Sequence, residues 1–322
     1  MNSWTSALAA SPISQQDPAP RGSWRRMRDL AFDRGYKLGL ALGFLVLQPL
    51  EEFKKLRRIL AHFHRWDATV LFVLRLVGKS SFLRKPFHLF GRRTLTVNTK
   101  SNRALSLRPF SNDIFIFHEV WEDEYYLVDE IAAAAEDGVV VDIGAHIGFF
   151  SLFAIDVLKA RKVIALEPCG ENFLLLRQNT SDDSLSVEAY PVAVGDDNEQ
   201  MPLFLSAQNT GGHSLKTDHH QGVELVRSLS PSRAFQLAGI QGCEVLKMDC
   251  EGSELHILTQ MPAALLRSIS VIAIEYHLPI YGEEGLDRMR ATLEKNGFVV
   301  QIRPTGSRLG LMYAVQSRPS SA

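Results

Sequence analysis

The stretch "VVVDIGAHIGFFS" at residues 139–151 carries the clearest chemical pattern in the chain. A predicted strand, a glycine turn and a predicted helix follow one another, an order typical of a nucleotide-cofactor site. Its glycines, Gly144 and Gly148, form D-x-G-x-x-x-G. His146 stands where the nicotinamide fingerprint G-x-G-x-x-G needs a second glycine. The spacing therefore disfavours a nicotinamide dinucleotide.

Asp142 indicates the charge of the cofactor. A carboxylate at a strand end would repel a diphosphate but suits a cation, and S-adenosylmethionine carries an ammonium and a sulfonium group. We expect Gly144 to let the backbone pass close to the methionyl part of this cofactor, and Gly148 to begin the helix without a side chain in the way. His146, inside the turn, is expected to pack or to contact the cofactor rather than to react.

A second acidic residue ends the next predicted strand. The segment "VIALEP" places Glu167 25 residues after Asp142, where its carboxylate can accept both hydroxyls of a ribose. An Asp before glycines is by itself often only a turn. With Glu167 at this spacing, the pattern predicts an S-adenosylmethionine site made by Asp142, Gly144, His146, Gly148 and Glu167.

Two later segments, "VLKMDCEGSE" and "VIAIEYH", supply candidates for the chemical step: Lys247, Asp249, Glu251 and His277. Methyl transfer to an alcohol needs alignment of the reacting atoms, exclusion of water and a base for the hydroxyl proton. We expect Asp249 at the methyl-transfer centre, supported by Lys247, with Glu251 near the acceptor. His277 follows a strand end, and its ordinary pKa of about 6.5 suits a general base.

Each of these residues also has a purely structural interpretation. Lys247 and Asp249 fall on the same side of their predicted strand and would form an ion pair. Glu251 and Glu254 would then lie at the start of the next helix, where carboxylates are favourable. His277 would be a hydrogen-bonded loop residue.

A divalent metal is the remaining chemical alternative. Mg²⁺ takes oxygen ligands, and its ligands would be Asp249, Glu251, Glu275 and His277. Their spacing is not diagnostic, so the sequence predicts no metal site and metal-dependent chemistry is the less favoured alternative. The three cysteines form neither a CxxC pattern nor a disulfide framework, which is typical of a reducing compartment.

A parallel sheet would bring these residues together. Predicted strands alternate with predicted helices at 148–160, 170–179, 253–260 and 284–296, as in a doubly wound fold. The strands are expected at 139–143, 162–167, 187–194, 244–249, 270–276, 298–303 and 309–316. The last two should pair as an antiparallel hairpin. The sequence thus predicts an α/β fold with a Rossmann-like, seven-stranded sheet of the class I methyltransferase type. A further hairpin is expected at 193–205, and the loop at 208–215 is expected to form part of the adenine or acceptor wall.

The chain resembles the FkbM-type methyltransferases, a branch of the class I enzymes that use S-adenosylmethionine. The resemblance covers about residues 109–316. It rests on "SNDIFIFHEVWEDEYY", "VVVDIGAHIGFFS", "ALEPCGENFLLLRQN", "AVGDDNEQMPLFL", "LKMDCEGSE" and "IAIEYH", in this order. The most specific part, "KMDCEGSE", is similar to the family's K-x-D-x-E-G-x-E signature. The resemblance implies O-methylation of a hydroxyl on a sugar, a glycolipid or a secondary metabolite.

The N-terminal third differs in charge from the rest of the chain. Residues 21–108 carry 20 Lys and Arg against 5 Asp and Glu, whereas residues 109–322 carry 15 against 30. We predict a disordered tail at 1–23, a basic, partly amphipathic helical extension at 24–108 and the methyltransferase domain at 109–322. The apolar run at 38–50 is 13 residues long, short of the ~20 that cross a bilayer.

The extension has two interpretations. Apolar residues recur at helical spacing between Phe53 and Trp66, with basic residues between them, so residues 24–90 would contact an anionic membrane peripherally. Alternatively, the segment packs on its own domain and its basic face offsets the acidity there. We expect a cytoplasmic protein, either free or at the inner face of the membrane.

Two further functions compete with methyl transfer to a small molecule or glycan. One is a catalytically inactive S-adenosylmethionine-fold module for binding or assembly, which the complete cofactor motif argues against. The other is methylation of nucleic acid. Nucleic acid is an unlikely partner because no [DN]PP[YF] element ends the 244–249 strand, and because the basic segment is rich in Leu, Phe and Val.

Overall fold

The computed structural model of the protein describes residues 53–79, 94–109, 111–182, 184–206, 209–216, 222–306 and 308–317. The predicted tail at 1–23 and the apolar run at 38–50 lie outside these ranges. The chain divides into two units, Met1–Lys54 and Lys55–Ala322, and the architecture below is that of the second. Within the described ranges, no helix has the length and apolarity that crossing a membrane requires.

A seven-stranded sheet forms the centre of the unit. Its strands are β3 (Val139–Ile143), β4 (Lys162–Leu166), β5 (Val187–Tyr190), β9 (Cys243–Met248), β10 (Ile269–His277), β11 (Phe298–Pro304) and β12 (Leu309–Gln316). They lie in the order β11-β12-β10-β9-β3-β4-β5. All neighbours are parallel except β12, which is antiparallel to both β10 and β11. The predicted class I methyltransferase sheet is confirmed, including its closing hairpin.

The order of the strands creates a crevice in the middle of the sheet. From β3 the chain moves outward through β4 and β5, then returns to the other side of β3 and continues through β9 and β10. Connections therefore leave β3 and β9 in opposite directions. In doubly wound sheets a ligand site forms at such a switch point, beyond the carboxyl ends of the strands.

Alternation along the strands divides the apolar core between the two faces of the sheet. Val140 and Val245 pack into one cluster with the aromatic residues Phe149 and Phe153. Val141 belongs to the opposite cluster. Both faces are thus buried, which explains why β3 is almost continuously apolar up to Asp142.

Helices connect the strands and cover both faces. They are α1 (residues 53–62), α2 (Arg65–Lys79), α3 (Asp113–Phe117), α4 (Asp129–Ala135), α5 (Phe149–Asp156), α6 (Gly170–Asn179), α7 (Pro231–Leu237), α8 (Glu254–Gln260), α9 (Ala263–Leu266) and α10 (Leu278–Lys295). A π-helical turn, His118–Glu122, continues α3. Helix α10 is interrupted at Gly282, where the backbone is non-helical.

A second sheet corrects the predicted hairpin at 193–205. Strands β6 (Ala193–Val194) and β7 (Asn198–Phe204) do not pair with each other, because β8 (Val223–Leu229) lies between them. β8 is parallel to β6 and antiparallel to β7. Strand β8 was not predicted from the sequence, because its side chains are only half buried and its apolar residues do not alternate strongly with polar ones.

The described part of the basic extension packs against the rest of the unit. Helices α1 and α2 and a two-stranded hairpin, β1 (Leu95–Asn98) with β2 (Ala104–Leu107), contribute buried side chains to the same cluster as Trp121 and Phe149. Three of its basic residues form ion pairs with consecutive acidic residues: Lys55 with Asp123, Arg58 with Glu124 and Arg75 with Glu122. The basic side chains at these positions therefore offset the acidity of the domain.

Candidate functional site

A cavity of about 330 Å³ lies at the switch point of the sheet. This volume is within the range of small-molecule sites, about 300–1,000 Å³. Seven of the nine predicted site residues line it: Gly144, His146, Glu167, Lys247, Asp249, Glu251 and His277. The remaining two, Asp142 and Gly148, are not in its wall.

Close contacts with other parts of the chain restrict the glycine turn after β3. Gly144 has φ +79°, and a Cβ at this position would lie 1.8 Å from the carbonyl oxygen of Asp249. The absence of a side chain therefore lets the turn approach the backbone after β9, and the expected close approach of Gly144 to a cofactor stays a prediction. Gly148 has φ +93° and directly precedes α5, where a Cβ would lie 2.8 Å from Leu176 Cδ1. Its expected role at the start of the helix is consistent with this geometry.

Asp142 is fully buried behind the cavity and holds Lys247. The register pairs Asp142 on β3 with Lys247 on β9. Lys247 Nζ lies 3.0 Å from Asp142 Oδ1 and donates a 2.9 Å hydrogen bond to the carbonyl oxygen of Gly144. Ser151 donates to the other carboxylate oxygen of Asp142 at 2.7 Å. Asp142 therefore does not line the cavity itself, but it holds the ammonium of Lys247, which does.

The expected Lys247–Asp249 ion pair is the weaker of the two that Lys247 forms, since its Nζ lies 3.9 Å from Asp249 Oδ2. Burial opposes a charged ammonium, but the carboxylates of Asp142 and Asp249 outweigh it and raise the pKa of Lys247 above its usual value. Lys247 is thus a fixed positive charge at the centre of the site.

Glu167 is held at the cavity by two backbone amides. His146 N–H donates to Oε2 and Cys169 N–H to Oε1, both at 2.9 Å. Burial nevertheless raises the pKa of Glu167 to about 7. Because each carboxylate oxygen has a further lone pair, Glu167 retains the capacity to accept hydrogen bonds from a ligand.

A cluster of carboxyl groups lines the other end of the cavity: Glu119, Asp249, Glu251 and Glu275. The parallel register of β9 and β10 pairs Met248 with Ile274, so Glu275 comes next to Asp249 and forms a side-chain hydrogen bond with it. Burial, and then the charge of Asp249, raises the pKa of Glu119 and of Glu251 to about 7 each. The same two causes hold the pKa of Glu275 well above its usual value.

His277 lies between two carboxylates. Its Nε2 is 3.3 Å from Glu251 Oε2, and its Nδ1 is 3.6 Å from Glu254 Oε1. Burial lowers the pKa of His277, but Glu254 and then Asp249 and Glu251 outweigh it and raise this pKa to about 9. The imidazole is therefore protonated at neutral pH, which argues against the expected role of His277 as a general base.

Glu254 shapes the loop between β9 and α8, which carries Asp249 and Glu251. Its carboxylate is fully buried and accepts hydrogen bonds from the backbone amides of Cys250 and Gly252, at 2.8 and 2.9 Å. These bonds hold Glu251 at φ +51°, an uncommon conformation for a residue with a side chain. The expected place of Glu254 at the start of a helix is confirmed.

Sequence reasoning missed the contribution of the segment before β3. Glu119, on the π-helical turn, was not a candidate, although a carboxylate within the apolar stretch "IFIFHEVW" was an available signal. Asp113 was also missed. It is fully buried, accepts from Arg108 Nε at 2.8 Å and from Thr210 Oγ1 at 2.6 Å, and lies 3.4 Å from His146 Nε2.

This Arg108–Asp113 pair fixes the loop over the cavity. Asn172 joins it by accepting from Arg108 Nη2 at 2.7 Å and donating to the carbonyl oxygen of Thr210 at 2.9 Å. Asn209 and Gly211, on either side of Thr210, line the cavity. The loop predicted to contribute to the adenine or acceptor wall thus lies at the site where its residues are described.

Besides His277 Nδ1, which faces Glu254, two buried polar atoms of cavity-lining residues have no hydrogen-bond partner among the described residues: His146 Nδ1 and Ser253 Oγ. Buried polar atoms are normally paired, so these two are available to a polar ligand. Within the described part of the chain, no three His, Cys, Asp or Glu side chains are grouped so that they could hold a metal ion.

In sequence, the chain is similar to known methyltransferases. Residues 142–300 match the family model described as "Methyltransferase FkbM domain". The AMB antimetabolite synthetase AmbE of Pseudomonas aeruginosa is 24% identical over 248 residues, which is 65% of this chain but 12% of AmbE. Methyltransferase 1 of Beauveria bassiana is 22% identical over 210 residues, 58% of this chain and 82% of that protein.

Among solved structures, methyltransferase FkbM from Methylobacillus flagellatus KT matches with a TM-score of 0.39 and 20% identity. The match covers 55% of this chain and 43% of that one.

Proposed function

The chain carries an FkbM-type methyltransferase domain, and from this premise we propose that it transfers a methyl group from S-adenosylmethionine to a hydroxyl oxygen. The observation that carries the proposal is the distribution of carboxyl groups in one cavity. Glu167 lies at one end, and Glu119, Asp249, Glu251 and Glu275 lie at the other. This arrangement fits a ligand with a ribose and a positively charged methionyl part.

The residues present fit this cofactor. Glu167 would accept the ribose hydroxyls, because its carboxylate is fixed by two amides and faces the cavity. The carboxyl cluster would attract the ammonium and sulfonium charges. His146 Nδ1, buried without a partner among the described residues, is available to a polar group of the cofactor. When bound, S-adenosylmethionine supplies an activated methyl group on a positively charged sulfur.

The carboxyl cluster is also the best source of a general base. A base works most efficiently when its pKa lies near the working pH, and the pKa of Glu119 is raised to about 7. Asp249 and Glu275 form a hydrogen bond with each other, and the charges of Asp249 and Glu119 both raise the pKa of Glu275. We therefore assign acceptance of the hydroxyl proton to this cluster, with Asp249 nearest to the transfer centre and His277 acting as a fixed cation.

Lys247 has a positioning role in this scheme. Its ammonium holds the carbonyl oxygen of Gly144 at 2.9 Å, which fixes the glycine turn against β9. It also separates the buried carboxylate of Asp142 from that of Asp249. The relative position of the cofactor turn and the catalytic loop therefore depends on one side chain.

The charge of the cavity also constrains the acceptor. Its two cationic side chains, Lys247 and His277, already face carboxylates. A phosphorylated or carboxylated acceptor would meet further negative charge, so a neutral hydroxyl compound fits better. We propose a sugar, a glycolipid or a secondary metabolite, and the name of AmbE, an antimetabolite synthetase, is in keeping with the last of these.

Calorimetry on the full-length protein tests the cofactor first. We expect S-adenosylmethionine to bind in preference to NAD, and Glu167→Ala to weaken binding by about 1.5–3 kcal/mol through loss of a charged hydrogen-bonding group. Glu188→Ala, on the neighbouring strand and exposed, is the matched control and should bind as the wild type does. Equal affinity of the Glu167 variant, or preference for NAD, would contradict the assignment.

Activity is then measured with radiolabelled methyl donor and a panel of neutral sugars, glycolipids and polyketide alcohols. Transfer to a hydroxyl supports the proposal. Tight cofactor binding with no transfer to any oxygen, and with transfer to an amine or sulfur acceptor instead, would contradict O-methylation. Binding without transfer to any acceptor class would favour the inactive binding module.

A further inference from the structure

Helix α2 presents apolar side chains on two opposite sides. On the inner side Ala68 and Leu71 are buried in the core cluster that contains Phe117. On the outer side Trp66, Val70 and Val73 are 83, 37 and 49% exposed. Because a helix turns 100° per residue, positions 66, 70 and 73 fall on one stripe and positions 68 and 71 fall opposite to it.

The outer stripe is unusual for a surface that faces only water. Single exposed apolar residues are common, but a contiguous apolar stripe marks an interaction site. Tryptophan in particular is enriched where an apolar phase meets water, because its ring is apolar and its N–H is polar.

The charge of the neighbouring residues distinguishes between two possible binding partners of this stripe, a second copy of the chain and an anionic surface. Lys55, Arg58 and Arg75 are paired with acidic residues of the domain, but Arg57 and Arg65 are exposed, and Arg65 directly precedes Trp66. In sequence, the described residues 53–79 carry 7 Lys and Arg against one acidic residue, Asp67. A second copy docked through the same stripe would bring like charges together, whereas an anionic surface would attract them.

We propose that the outer face of α2, formed by Trp66, Val70 and Val73, docks peripherally on an anionic lipid bilayer. The apolar side chains enter the boundary between head groups and acyl chains, and Arg57 and Arg65 lie at the level of the lipid phosphates. Each basic residue near such a surface strengthens binding about fivefold. This surface is separate from the cavity, so the proposal does not depend on the proposed reaction.

Flotation of the full-length protein with vesicles tests the proposal. The wild type should float with vesicles that contain phosphatidylglycerol and float much less with pure phosphatidylcholine. It should be released by 0.5 M salt, which shortens the electrostatic screening length to about 4 Å. The triple variant Trp66→Ser, Val70→Ser, Val73→Ser should bind at least tenfold more weakly. A matched control is Val223→Ser, Leu225→Ser, which removes two side chains that are 56 and 62% exposed on β8. It should float like the wild type.

Two further measurements keep the test decisive. Arg57→Glu with Arg65→Glu leaves the apolar stripe intact and should also weaken binding at least tenfold. Quenching of tryptophan fluorescence by brominated lipids should be lost in Trp66→Phe, which places this ring, rather than another tryptophan, in the bilayer.

Several results would overturn the proposal. The first is a wild type that does not bind anionic vesicles. The second is a triple variant that floats as the wild type does, and the third is a β8 control that loses as much binding as the triple variant. Sedimentation that shows a wild-type dimer dissociated by the triple variant, together with no vesicle binding, would assign the stripe to a second copy of the chain.

Discussion

Lys247 and Asp142 form a buried ion pair across neighbouring strands, with Lys247 Nζ 3.0 Å from Asp142 Oδ1. Both side chains are buried, and the ammonium of Lys247 also donates a hydrogen bond to the carbonyl oxygen of Gly144. The pair therefore joins the end of β3, where the glycine turn begins, to β9, which leads into the loop that carries Asp249 and Glu251.

Lys247→Met should destabilise the fold strongly, because it leaves the Asp142 carboxylate buried without a counter-charge. Removing one partner of such a pair costs about 3–5 kcal/mol, measurable by urea unfolding. Lys162→Met is the control, since Lys162 and Glu188 form a more exposed pair at 2.8 Å worth about 0–1 kcal/mol. Adding Asp142→Asn to Lys247→Met should recover part of the loss. A cost below that of the Lys162 variant would contradict the role of this pair.

Gly144→Ala should disrupt the site by steric overlap. The new Cβ would lie 1.8 Å from the carbonyl oxygen of Asp249, and the residue has φ +79°. We expect a loss of at least about 2 kcal/mol in unfolding free energy, together with weaker cofactor binding. Gly306→Ala is the control, because no atom lies within 4 Å of its added Cβ. If both variants lose the same free energy of unfolding, the contact between Gly144 and the carbonyl oxygen of Asp249 does not restrict the side chain at position 144.

Stability should fall above neutral pH because of His277. Its pKa is raised from 6.5 to about 9 in the folded protein, so the folded state binds more protons between these values. The stabilisation is therefore complete below pH 6.5 and is lost as the pH rises through 9. One pKa unit corresponds to 1.36 kcal/mol, which gives a loss of about 3 kcal/mol for the wild type.

Urea unfolding between pH 6 and 9.5 measures this loss. His277→Gln should flatten the profile in that range, whereas His256→Gln, at an exposed pair with Asp196, should retain the wild-type slope. An unchanged slope in the His277 variant would contradict the assignment of this proton.

Binding of S-adenosylmethionine should depend on pH through Glu119. Its pKa is raised to about 7 by burial and then by Asp249 and Asp123, while Lys247 and His277 oppose the rise. A sulfonium charge nearby favours the ionised carboxylate, so affinity should increase about three- to tenfold between pH 6 and 8. This prediction rests on the proposed cofactor.

Calorimetry with S-adenosylhomocysteine provides the comparison, because that product lacks the sulfonium charge. Its affinity should change less over the same range, and Glu119→Gln should make the two profiles alike. If the two ligands show the same pH dependence in the wild type, Glu119 does not lie near the sulfur.

The sequence by itself determined the strands of the large sheet, except that the strand predicted at 187–194 ends at Tyr190 and residues 193–194 pair in the second sheet. It also determined the position of the glycine turn after β3. Valine-rich runs such as 139–141, separated by helical periodicity, identify buried parallel strands because both faces of such a strand are apolar. The two glycines and Glu167 were identified from local spacing, which depends only on a strand, its turn and the next strand tip.

Only the tertiary structure decided which side chains meet. Lys247 and Asp142 are neighbours because β9 returns to lie beside β3, and no local pattern specifies this across more than 100 residues. Glu119 enters the site from a turn before the sheet begins, and β8 separates β6 from β7. The raised pKa of His277 has the same origin, because it depends on Glu251 and Glu254, which the fold brings to either side of its ring. Spacing along a chain limits which residues share an element, whereas charge and pKa depend on neighbours in space.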